Sequence, residues 1–99
     1  MAETQSRHPV DMHVGARIRG RRLQRQISLK ALGRSVGRSL QQVHAYECGA
    51  NRVSASLLWE FAGALDVPVE YFFQGLTAAA DKNPRLDSTM SQVHEPSAS

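Results

Sequence analysis

Apolar residues recur along the chain at spacings of three and four, the period of helices with one buried face. Val14, Ile18 and Leu23 form the first such stripe, behind Asp11, a residue type that suits a helix N-cap. The second helix starts at Ser28, with Leu32 and Val36 facing inward and Ile27 and Leu32 at hydrophobic-staple spacing. Gly37 follows at once, the residue type that best accepts a left-handed helix exit. The third helix starts two residues later, where Ser39 and Gln42 form an S-x-x-Q capping box. Val43, Tyr46 and Glu47 share its inner face, and Gly49 ends it. The fourth runs from Ser54 to about Asp66, with Leu58, Phe61, Ala62 and Leu65 inward. A short fifth has Pro68 in its first turn, then Val69, Tyr71 and Phe72, and stops at Gly75. No run alternates with period two for long enough to make a strand, so the expectation is an all-α domain of five helices.

The pattern also divides the chain. Of 99 residues, 12–75 carry the periodic stripes and form the expected folded body. Residues 1–11 read as a flexible N-terminal arm. Residues 76–99, rich in Ser, Ala, Thr and Pro, read as a disordered tail. A body of about 60 residues buries only about 60% of its unfolded surface, so dimerisation would help it. No stretch approaches the roughly 18 apolar residues of a membrane span. The segment MAETQSRHPVDMH lacks the apolar core of a secretion signal. The one cysteine, Cys48, allows no disulfide within the chain. The expected location is the cytoplasm, at the bacterial nucleoid.

Charge changes the picture when it is counted by segment. The net charge of +3 is modest, but residues 13–52 alone carry +8 and residues 53–99 carry −4. Arg dominates the basic block, which suits forked contacts to phosphates and base edges. Such polarity favours a polyanion on one side of the molecule. The bland alternative is a solvated helix face.

Helices two and three, joined by a tight glycine turn, have helix-turn-helix order. The third carries a short polar outer face with Ser39, Gln41, His44 and Ala45. In that geometry one helix crosses the phosphate backbone and the next enters the major groove. A Gln amide can read a base edge with both its ends.

At these residues the chain resembles the lambda-repressor/Cro-like helix-turn-helix proteins, also called the XRE family. The matching runs are VGARIRGRR (14–22), SLKALGRSVG (28–37), SLQQVHAYECG (39–49), ANRVSASLL (50–58) and FAGALDVPVEYFF (61–73). The resemblance implies a five-helix lambda-repressor-like fold. It implies base contacts by Ser39, Leu40, Gln41, His44 and Ala45, with Leu40 suited to a thymine methyl. It implies phosphate contacts by Ser28, Asn51 and Arg52, to which Lys30 and Arg38 are added as expected contacts, Arg38 standing where the family commonly has a small or apolar turn residue. Arg22 and Glu47 match a buried structural ion pair. Leu57, Trp59, Phe61, Tyr71, Phe72 and Phe73 make an apolar cluster, half core and half expected dimer seam. Gly33 stands where the family commonly has Ala, and both are small enough for close helix packing. Leu57 stands where the related branch usually has a charged residue.

The function expected from this resemblance is sequence-specific binding of double-stranded DNA by a homodimer, as a transcriptional repressor on a near-palindromic operator. One alternative is an antitoxin that represses its own operon and binds a toxin through its tail. Another is a protein-interaction module that keeps the fold without DNA. Neither a cofactor nor a metal is expected: His13 and Cys48 are isolated in sequence, and no acid/base constellation or phosphate-cradling glycine loop suggests an enzyme. Cys48 ends the third helix beside basic residues, where the default reading is a plain thiol and the sharper one a redox switch.

Overall fold

The structure, a computed structural model, describes residues 7–76. It contains α1 (Pro9–Gln24), α2 (Leu29–Val36), α3 (Leu40–Glu47), α4 (Ala55–Leu65) and a 3-10 segment (Val69–Phe73), with no strand among the described residues. Residues 1–6 of the expected arm and 77–99 of the expected tail lie outside them.

Local chemistry explains most of the helix ends. Ser28 accepts from the Ala31 N–H, and Ser54 accepts from the Leu57 N–H. Ser39 and Gln42 close the capping box reciprocally, at 3.1 and 2.9 Å. Gly37 sits at φ +70°, a left-handed exit that costs an L side chain but not glycine. The N-terminus of α1 differs from expectation. His8, not Asp11, is the cap, its Nδ1 accepting from the Val10 N–H at 3.0 Å. Pro9 then takes the first helical position, where its missing N–H costs nothing. Residues 9–11, read as arm from sequence, are therefore part of α1, and Asp11 stabilises the positive helix end from within the first turn.

The fifth element is also different. It is a five-residue 3-10 turn, so the described residues hold four α-helices rather than five. The short span between Pro68 and Gly75 leaves little room for i→i+4 bonding, and a single tight turn is enough to insert Phe72.

The core is Val14 and Ile18 of α1, Leu32 and Val36 of α2, Val43 of α3, Leu57, Leu58, Phe61, Ala62 and Leu65 of α4, and Phe72. Tyr46 closes it on the α3 side, edge-on to Phe61 with ring centroids 6.0 Å apart. Leu23, expected inward, is exposed. The stripe that begins at Val14 and Ile18 continues at Arg22, four residues on, and Leu23 lies about 100° further round the helix.

Arg22 can occupy a core position because Glu47 meets it there. Its Nε donates to Glu47 Oε2 at 2.6 Å and its Nη2 to Oε1 at 3.1 Å, a forked pair that joins α1 to α3. Its Nη1 donates to the Ile27 carbonyl and pins the α1–α2 loop. Removing one partner would leave the other's charge buried, at a cost of about 3–5 kcal/mol.

Two glycines mark close backbone approaches. A Cβ on Gly15 would run into the Tyr46 and Glu47 carbonyl oxygens, where α1 crosses the end of α3. A Cβ on Gly33 would lie 2.5 Å from the Arg38 carbonyl oxygen. Ala does not fit at that position without a backbone shift, contrary to the sequence expectation that either residue would serve.

Candidate nucleic-acid interface

The helix-turn-helix is built from α2, the Gly37 turn and α3. α2 packs against α3 and α4, and α1 braces α3 from the other side. The Arg38 N–H donates to the Gly33 carbonyl at 2.9 Å, which locks the turn and fixes where α3 begins. Val43 and Glu47 face inward, so the opposite side of α3 is presented to solvent.

That outer side carries most of the expected base-contact set. Gln41 is exposed, and its amide takes no partner among the described residues. His44 is exposed, with Nε2 3.5 Å from Cys48 Sγ. Leu40 is 42% exposed at the first turn, an apolar surface among polar neighbours. Ala45 is half-buried at the edge of the face. Ser39 is exposed, but its oxygen already accepts from Gln42 as the cap, which leaves its hydroxyl proton for a further bond. The Gln42 side-chain oxygen is held by the Ser39 N–H.

The expected phosphate set flanks this face. Ser28, Lys30, Asn51 and Arg52 are exposed. Arg38 is half-buried, with Nη1 donating to the Gly37 carbonyl at 3.2 Å. Arg52 is tied by Nε to Asp11 Oδ2 at 3.3 Å, a partner 41 residues away along the chain.

The basic block divides in a way that charge counting does not show. Four of its arginines are committed to partners within the chain. Arg22 pairs with Glu47. Arg17 donates to the Tyr71 carbonyl at 3.0 Å and lies over the Tyr71 ring, 3.9 Å from its centroid. Arg21 donates to the Leu65 and Asp66 carbonyls at 2.9 and 3.3 Å, and Arg25 to the Leu65 carbonyl at 3.3 Å. His13 joins the same face, its Nε2 2.7 Å from the Gln74 carbonyl. These donors satisfy carbonyls left open at the end of α4 and along the 3-10 segment. The +8 block is thus part clasp and part exposed charge, the latter being Arg19, Lys30, Arg34, Arg38 and Arg52 in varying degree. The i, i+4 spacing of His13, Arg17, Arg21 and Arg25 was the signal in the sequence that marked the clasp.

The expected dimer seam is reduced in the same way. Phe61 and Phe72 are 0% exposed and Leu57 is 2% exposed, so within one chain they have no surface to offer a partner. Leu57, at a position where a charged residue is expected, is a core residue here. Tyr71 is half-buried between Arg17 and Phe72. Trp59, 73% exposed on the outer face of α4, and Phe73, 40% exposed, remain as apolar surface.

No family model matches the chain. It is 47% identical over 86 residues to a protein of Rhodospirillum rubrum named an uncharacterized transcriptional regulator in the ATPase CF(0) region, covering 87% of this chain and 77% of that one. It is 48% identical over 67 residues to an uncharacterized HTH-type transcriptional regulator of Sinorhizobium medicae, covering 68% of this chain and 48% of the relative. An uncharacterized HTH-type regulator of Rickettsia conorii is 35% identical over 75 residues, or 60% of its length. The chain therefore spans about half of the Sinorhizobium protein and more of the other two.

Proposed function

This chain belongs to the helix-turn-helix transcriptional regulators, which are not enzymes, and we propose that it reads double-stranded DNA with α3 in the major groove. Within that family we place it in the lambda-repressor/Cro-like branch. It acts as a homodimeric repressor on a near-palindromic operator. The observation that carries the reading is the outer face of α3. Gln41 and His44 stand exposed there while Gln42 is held in the capping box, so the helix offers a short reading edge rather than a general polar surface.

The groove admits one α-helix. Gln41 pairs with an adenine edge through both ends of its amide, and Leu40 meets a thymine methyl. Ser39, His44 and Ala45 border the same base pairs. Ser28, Lys30, Arg38, Asn51 and Arg52 fix the register on phosphates, which position the protein without reading sequence. Two copies joined through the α4 side, at Trp59 and Phe73, set two α3 helices about 34 Å apart, one turn of DNA.

Selection of duplexes from a random library by the purified protein tests this reading. The expected product is a site with two related half-sites about one helical turn apart. With about 6–10 phosphate contacts, affinity for that site falls roughly 10³–10⁵-fold between 50 and 200 mM salt. No enrichment, or affinity independent of salt, overturns the proposal.

A further inference from the structure

The loop after α3 is held at three points by the start of α1 and the residue before its cap. Asp11 Oδ2 accepts from Arg52 Nε at 3.3 Å. A Cβ on Gly49 would lie 2.9 Å from the Met12 Cα, so the two backbones are in close contact there. Arg7 Nη1 donates to the Cys48 carbonyl at 3.1 Å. The same loop is drawn back onto α3 by the Ala50 and Asn51 N–H groups, which both donate to the Ala45 carbonyl.

The ion pair in this set is one-sided. The Asp11 side chain is 20% exposed and seated in a helix turn, whereas Arg52 is 78% exposed. Such an exposed pair adds little to fold stability. Asp11 takes only the Nε edge of the guanidinium, and Nη1 and Nη2 have no partner among the described residues. A carboxylate at Nε fixes the plane of the group and leaves its terminal donors for a second anion.

We propose that Asp11 is a positioning residue for DNA binding, holding Arg52 by Nε so that Nη1 and Nη2 meet a backbone phosphate. The proposal rests on the DNA-binding reading above. It makes a carboxylate close to a polyanion favourable to binding, the reverse of what simple charge repulsion gives. Arg52 prealigned in this way loses less side-chain freedom when the phosphate arrives.

The test is a double-mutant cycle of Asp11→Asn and Arg52→Gln, read by fluorescence anisotropy on a random-sequence 20-base-pair duplex at 50 to 200 mM salt. Circular dichroism melts check the fold. Arg52→Gln removes one phosphate contact, so the fall in affinity over that salt range shrinks about threefold. Asp11→Asn shifts affinity and salt dependence in the same direction in the wild-type background and does not weaken binding further beside Arg52→Gln. Arg52→Lys keeps the charge, and with it the salt dependence, but loses the fork that the Nε anchor orients, so its affinity falls and no longer responds to Asp11→Asn. This variant alters an exposed side chain and tests the proposal even if Asp11→Asn fails to fold. Glu70→Gln, a remote exposed carboxylate, does not weaken binding. Tighter binding by Asp11→Asn to an equal extent in both backgrounds overturns the positioning role, as does full wild-type affinity for Arg52→Lys. A wild-type protein that fails to bind DNA at all overturns the DNA reading itself, and the two failures are thereby distinct.

Discussion

Gln41 and Gln42 are neighbours with the same side chain and opposite fates. The capping box decides between them, because the Gln42 oxygen is engaged by the Ser39 N–H while the Gln41 amide, on the outer face, has no partner among the described residues. Gln41→Ala is expected to reduce discrimination between the selected site and a one-base variant by about 1–3 kcal/mol, with binding to random DNA kept. Competition titrations on both duplexes measure this, and equal weakening on all sequences contradicts base reading. The capping box was legible in the sequence because both partners lie within one turn. The Arg52–Asp11 pair was not, since its members are 41 residues apart and either is an ordinary surface charge when read alone.

Glycine gives a paired experiment on two helices. Gly20 lies in α1 with nothing among the described residues within 4 Å of an added Cβ. Gly20→Ala therefore gains helix propensity alone, up to about 1 kcal/mol. Gly33 in α2 offers the same gain, but its Cβ would lie 2.5 Å from the Arg38 carbonyl oxygen. Overpacking of that kind costs about 1–3 kcal/mol and outweighs the propensity gain. In thermal melts Gly20→Ala should raise Tm and Gly33→Ala should lower it, each kcal/mol being worth about 4–8 °C in a domain this small. Stabilisation by both would refute the close approach that fixes the α2–α3 turn. The starts of α2, α3 and α4 follow from their serine caps and were readable in advance. The start of α1 was not, because His8 is an uncommon cap and Asp11 imitates a common one.

Across the whole molecule, the apolar cluster of the last two elements serves two ends. Phe61 and Phe72 fill the core, while Trp59 on the same helix as Phe61 points to solvent. A side chain so exposed contributes little to the stability of one chain. Trp59→Glu should leave the Tm of the dilute protein nearly unchanged and move the proposed dimer to monomer in sedimentation, with loss of preference for paired half-sites. Phe61→Ala, by contrast, should cost about 3–5 kcal/mol and compromise folding at any concentration. If Trp59→Glu leaves the assembly intact, the α4 side is not the seam. Charge follows the same division. Arg17, Arg21 and Arg25 of the basic block grip carbonyls of residues 65–71, so only part of the +8 is available to a polyanion.

The all-helical class, the order of the elements, the glycine turn between α2 and α3 and the polar face of α3 are written in the chain's local pattern. All of these depend on residues within a turn or two of one another, where period, caps and backbone preference act directly. Three-dimensional packing settles which aromatics lie inside and which arginines clasp the chain rather than face solvent. It also sets the backbone approach that forbids a methyl at Gly33 and the partner of Arg52. Each of these depends on which distant segment comes to lie beside a residue, and a side chain's identity carries no record of that neighbour.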